Sequence, residues 1–75
     1  MLELVRYIAA SLVDDPQAVD VQQVEQDGAI IIELRVAPDD MGKVIGKQGR
    51  IAKAMRAIVK AATLKDDKPV YVEII

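Results

Sequence analysis

The chain has 75 residues, a net charge of −2, 52% hydrophobic and 29% charged residues, and neither cysteine nor histidine. That length supports a single small domain burying only about 60% of the surface an extended chain exposes, and the composition is that of a folding chain, not a disordered one. The missing residues remove disulfides, thiolate nucleophiles, imidazole acid–base chemistry and the usual zinc ligands; with Glu3 near the start and no long apolar run, the expectation is a cytoplasmic, non-enzymatic domain with no cofactor, metal or membrane insertion.

In chain order, Leu4 or Val5, Ile8 and Leu12 recur at helical spacing and predict a helix over about 2–13, stopped by Asp14-Asp15-Pro16. Tyr7 reads as a packing residue of that helix with a wet hydroxyl. Val19, Val21 and Val24 alternate imperfectly over 19–26, as in an edge strand or one with a bulge. Asp27-Gly28 then offers a tight turn.

Residues 29–37 are the clearest strand. Ile30, Ile32, Leu34 and Val36 share one face and Ile31, Glu33 and Arg35 the other, the pattern of a central strand with one face toward helices. Pro38 ends it, and Asp39 or Asp40 is a candidate cap for a helix over about 39–45 containing Met41, Val44 and Ile45. A longer helix over about 50–62 puts Ile51, Met55, Ile58, Val59 and Ala62 on one arc, with Lys53, Arg56 and Lys60 on another and Ala54, Ala57 and Ala61 as a small-residue seam between them. Met41 and Met55 read as core fillers. A polar connection, Lys65-Asp66-Asp67-Lys68, leads past Pro69 to a last strand over about 70–75, where Val70, Val72 and Ile74 share a face.

The order α-β-β-α-α-β predicts one α/β two-layer domain over 1–75, with a hairpin, a final strand placed parallel to a neighbour by a helical crossover, and a three-stranded mixed sheet.

Charge is unevenly placed along this pattern. Residues 1–40 hold nine acids and two bases, whereas 41–65 hold seven bases (Lys43, Lys47, Arg50, Lys53, Arg56, Lys60, Lys65) and no acid. The local field matters more to recognition than the sum. In the middle of the basic stretch lies Gly46-Lys47-Gln48-Gly49, residues 46–49. Glycines at both ends of a four-residue turn allow backbone N–H groups to be exposed, and the following helix adds the positive end of its dipole. Such a site suits phosphate, with Lys47, Arg50 and Lys43 supplying mobile charge that positions a strand without reading bases. A helix–turn–helix needs glycine for geometry alone, so the loop gains its meaning from the bases around it. The overlapping Gly42-Lys43-Val44-Ile45-Gly46-Lys47 is not a nucleotide-binding P-loop: only three residues separate its glycines, and Gln48 follows the lysine. Asp14-Asp15, Asp39-Asp40 and Asp66-Asp67 read as capping and turn clusters.

Val44-Ile45-Gly46-Lys47-Gln48-Gly49-Arg50-Ile51-Ala52-Lys53-Ala54-Met55 resembles the signature of KH domains, whose G-x-x-G loop clamps the backbone of about four nucleotides. A strand pair before the helical pair matches the type II arrangement, and size with the stretch Ala37 to Arg50 resembles the small bacterial single-KH proteins over essentially the whole chain. The resemblance implies single-stranded RNA binding by Lys43, Val44, Ile45, Gly46, Lys47, Gln48, Gly49, Arg50 and Lys53, with bases in an apolar groove walled by the long helix and the edge of the last strand. Many KH domains carry isoleucine three residues after the second glycine; Ala52 stands there, beside Ile51, which predicts a shallower base-facing wall. With Phe and Trp absent, base contacts are expected to be aliphatic, not stacked on an aromatic platform.

The resemblance further implies a role as RNA chaperone or post-transcriptional regulator, linked to cell envelope growth and cell shape, with a KhpB/Jag-like RNA-binding partner. Homodimerisation, single-stranded DNA binding and a pure protein-adaptor role stand as alternatives. Ile31, Tyr71 and Ile75, on the less covered sheet face, are the residues a protein partner would meet.

Overall fold

In a computed structural model, residues 1–64 and 67–75 are described. Helix α1 spans Leu2–Leu12, strands β1 and β2 span Asp20–Gln26 and Ala29–Arg35, helices α2 and α3 span Met41–Ile45 and Arg50–Ala62, and strand β3 spans Val70–Ile74. Single 3₁₀ turns at Pro16–Ala18, Pro38–Asp40 and Lys47–Gly49 join them. The expected connection over 65–68 lies partly outside the described residues.

The sheet order is β1-β2-β3, with β1 antiparallel and β3 parallel to β2. This is the type II KH arrangement. β1 pairs without a bulge from Asp20↔Arg35 to Gln26↔Ala29. The two-residue turn takes positive φ at both Asp27 (53°) and Gly28 (77°), the twist-matched geometry for which Asp-Gly is favoured.

All helices lie on one sheet face. Val21, Ile32, Leu34, Val36 and Val72 meet Val5, Ala9, Val44, Met55 and Val59 in the core, and Leu2, Ile8, Leu12, Met41 and Ile74 pack around its margin. Tyr7 does not pack: it is 73% exposed. The face of α3 is also turned from its sequence-based placement. Ala52, Met55 and Val59 are buried, whereas Ile58 is 46% exposed and Ala62 is exposed. At 100° per residue the buried arc centres roughly 50° from the expected one. Ala52, 5% exposed, is the small residue that this turn brings inside.

Neither Asp39 nor Asp40 caps α2 through its side chain. The chain is already turning at Pro38, and Asp40 has helical φ/ψ (−99°, −2°), not the extended conformation of a capping residue. Its buried carboxylate instead ties the chain after α1 to α2: Oδ2 accepts the Asp15 N–H at 3.1 Å and Oδ1 accepts Lys43 Nζ at 3.1 Å.

Candidate nucleic-acid interface

The four-residue loop is formed by left-handed backbone. Gly46 has φ 76° and ψ 174°, Gln48 φ 56° and ψ 25°, and Gly49 φ 73° and ψ 16°. The Gly46 N–H donates to the Gly42 carbonyl at 2.8 Å and closes α2, while the Gly49 N–H donates to the Gly46 carbonyl at 3.2 Å. The two glycines are required for different reasons. A Cβ on Gly46 would lie 2.7 Å from Ile51 Cγ1, so both conformation and space demand glycine there; one on Gly49 would meet nothing within 4 Å, so only the conformation does. No side chain caps the start of α3, which leaves the positive end of its dipole facing the loop.

Lys47, Gln48, Arg50 and Lys53 are exposed, and the three bases form no ion pair among the described residues. Lys43 differs. Its ammonium bonds Asp14 as well as Asp40, and those bonds, Asp14 first, raise its pKa above the ordinary 10.5. Burial is the largest single influence on Asp40 and drives its carboxyl upward; the Asp15 N–H, the Lys43 ammonium and the Asp14 N–H together outweigh it and hold the group below the usual 3.8. Val44 is wholly buried, so it anchors the loop from beneath, while Ile45 stays 37% exposed beside it. Ala52 is core and lines no groove wall; Ile51, packed behind Gly46, is the residue that shapes the loop.

Farther along α3 a crevice of about 590 Å³ lies between the second half of that helix and the first half of β3, lined by Arg56, Lys60, Thr63, Leu64, Asp67, Pro69, Val70, Tyr71 and Val72. That volume lies in the range of small-ligand sites. The Pro69 carbonyl and Ile75 N–H bond to β2, so odd-numbered residues of β3 turn their backbone groups inward and Val70, Val72 and Ile74 present theirs along the free edge. Arg56 Nε donates to the Val72 carbonyl across the crevice at 3.2 Å. Arg56, Lys60 and Tyr71 were not among the expected site residues. The flank of α3 turned to β3 could be read only once the buried arc was centred on Ala52. Tyr71, 57% exposed, borders the crevice at the sheet edge, but alternation with the inward-facing Val70 and Val72 turns its side chain to the opposite face of the sheet.

Among the described residues no three acidic side chains gather as a metal site, and no helix is long and apolar enough to cross a membrane.

Known proteins share this sequence closely. The chain is 64% identical over 75 residues to RNA-binding protein KhpA of Caldanaerobacter subterraneus subsp. tengcongensis and 63% identical over 75 residues to that of Clostridium perfringens, each alignment covering 100% of both chains. It is 48% identical over 75 residues to RNA-binding protein KhpA of Listeria monocytogenes, covering 100% of this chain and 99% of the relative. No solved structure gives a match. The KhpA/KhpB KH-domain family matches residues 2–74, and with these identities over the full length the chain belongs to that family.

Proposed function

We propose that this chain binds single-stranded RNA, with the Gly46–Gly49 loop holding the backbone and the α3–β3 crevice receiving bases. The observation that carries the reading is the convergence, at the N-terminal end of α3, of a left-handed, glycine-bounded turn, an uncapped helix and three bases, Lys47, Arg50 and Lys53, that have no ion pair among the described residues. Relatives named RNA-binding proteins support it.

Within the site, Lys47, Arg50 and Lys53 neutralise phosphates, Gly46 and Gly49 give the strand access to backbone N–H groups, and Ile45 and Gln48 border the bound chain. Lys43 contributes least of the bases, since Asp14 and Asp40 already occupy its ammonium. Val44 acts by holding the loop in place. A lone unit with few contacts binds weakly, so chaperone or regulatory work alongside a KhpB/Jag-like partner, or in a homodimer, would gain affinity through linked contacts.

The test is a titration of unstructured RNA, and of the matching DNA, against wild type and Gly49→Asp at two salt concentrations. Aspartate tolerates the left-handed region and has open space at this position, so the fold should persist by circular dichroism while the added negative charge repels phosphate. Wild-type RNA affinity should fall with salt at a slope near 2 for three phosphate contacts, roughly 0.7 each. Undiminished binding by a folded Gly49→Asp sinks the clamp; tighter binding of DNA sinks the RNA assignment.

A further inference from the structure

We infer that the uncovered face of the sheet docks a protein segment presenting an apolar ridge flanked by arginine. This face lies on the opposite side of the sheet from all three helices and carries the side chains the core leaves out. Register places Val24, Ile31 and Tyr71 side by side across the three strands, and the next row is Gln22, Glu33 and Glu73. Val24 is 40% and Tyr71 57% exposed, so the apolar row is open to solvent.

The neighbouring row specifies the partner. Glu33 and Glu73 stand directly opposite each other on adjacent strands, about 4.8 Å apart along the hydrogen-bonding direction. Like charges so placed destabilise a sheet, and neither carboxylate has an ion-pair partner among the described residues. An arginine fork is the group that satisfies two adjacent carboxylates, through charge-assisted bonds a lysine cannot match in geometry. An apolar ridge beside it would cover Val24 and Ile31, and Tyr71 at the sheet edge offers its ring to a second cation. A second copy stacked row on row would bring its own Glu33–Glu73 pair against this one, and the single arginine of this face, Arg35 in the next row, has Asp20 directly opposite it and no apolar ridge of its own to cover Val24 and Ile31.

The probe is a synthetic amphipathic helical peptide with a leucine ridge flanked by arginines, and its control replaces every arginine with glutamate. Titration into the full-length, isotope-labelled chain should shift the resonances of Val24, Ile31, Glu33, Tyr71 and Glu73, with no effect from the control. The double variant Glu33→Gln/Glu73→Gln should bind the peptide roughly tenfold or more weakly while melting at a higher temperature, because the repulsion is gone. Ile31→Thr, which keeps a β-branched residue in the strand, should also weaken binding. Shifts that centre on Asp14, Asp15 and Asp39, or equal affinity for the double variant, overturn the inference. So does sedimentation showing self-association that Ile31→Thr abolishes, which would place a second copy on this face. None of these readouts involves RNA, so their failure leaves the loop assignment untouched.

Discussion

Gly46 and Gly49 look equivalent in the sequence, yet alanine should cost very different amounts at the two positions. At Gly49 the penalty is that of one left-handed alanine, about 1–2 kcal/mol. At Gly46 the backbone (φ 76°, ψ 174°) lies in a region open almost only to glycine, about 1–3 kcal/mol, and the new methyl would meet Ile51 at 2.7 Å from Cγ1 and 3.0 Å from Cβ. Cβ cannot swing away as a side-chain tip could, so relief requires shifting α3 against the loop, an overpacking cost of about 1–3 kcal/mol more. Both substitutions equally restrict the unfolded chain, and that effect cancels in the comparison. Gly46→Ala should therefore cost about 2–6 kcal/mol, against a total stability of about 4–11 kcal/mol for a chain this size. Urea titrations followed by circular dichroism, on each variant alone and with Ile51→Ala, separate the terms. The Ile51→Ala background should remove part of the Gly46→Ala penalty and none of the Gly49→Ala penalty. Equal costs at the two glycines, or a Gly46→Ala cost indifferent to Ile51, would refute the reasoning.

Charge reversal at Lys47 or Arg50 should weaken RNA binding, lower the salt slope by roughly 0.7 for each phosphate no longer neutralised, and leave the melting temperature nearly unchanged; filter binding at several salt concentrations with parallel thermal melts checks this. Met55→Ala should cost about 2–5 kcal/mol and Ile58→Ala no more than about 0.5 kcal/mol, since one is 1% and the other 46% exposed; the reverse order in urea unfolding would put the wrong face of α3 in the core. Asp40 has a folded-state pKa below 3.8, so the stability it contributes is present above that pH and lost as pH falls through its lowered value. Lys43, raised above 10.5, contributes fully below 10.5 and loses its share as pH rises through the raised value. Urea midpoints measured against pH should show the acid-side decline shrink in Asp40→Asn, and a profile unchanged by that substitution would remove Asp40 from the acid response.

What the sequence disclosed depended on how far apart the cooperating residues lie. The hairpin turn at Asp27-Gly28 and the start of α3 after Gly49 are set by neighbouring residues, and the expected helix over 50–62 coincides with Arg50–Ala62. Alternation in β2 identified the core face because a one-residue slip would expose every large side chain. The face of α3 was harder to read. Large apolar residues dominated the periodicity, whereas the buried arc includes a small one, Ala52, that carries little weight in such a pattern. Lys43 looked like a free cation because its partner Asp14 is 29 residues away, and the groove between the long helix and the last strand was implied by the family resemblance alone, since it exists only as a spacing between α3 and β3.

Lys43 also explains how an acidic chain can offer a cationic loop. It is the first base of the stretch 41–65 and stands between the acids of the preceding segment and the loop; its one positive charge offsets part of the Asp14 and Asp40 pair, and Lys47, Arg50 and Lys53 beyond it form no ion pair among the described residues. Asp20, Glu33 and Glu73 lie on the far side of the sheet from α3, where both the intervening apolar core and mobile salt, with a screening length of about 8 Å at physiological strength, separate them from the loop. The net charge of −2 thus adds two opposed surfaces. A phosphate at Gly46–Gly49 responds to the basic surface, and the acidic one is free to select a partner of its own.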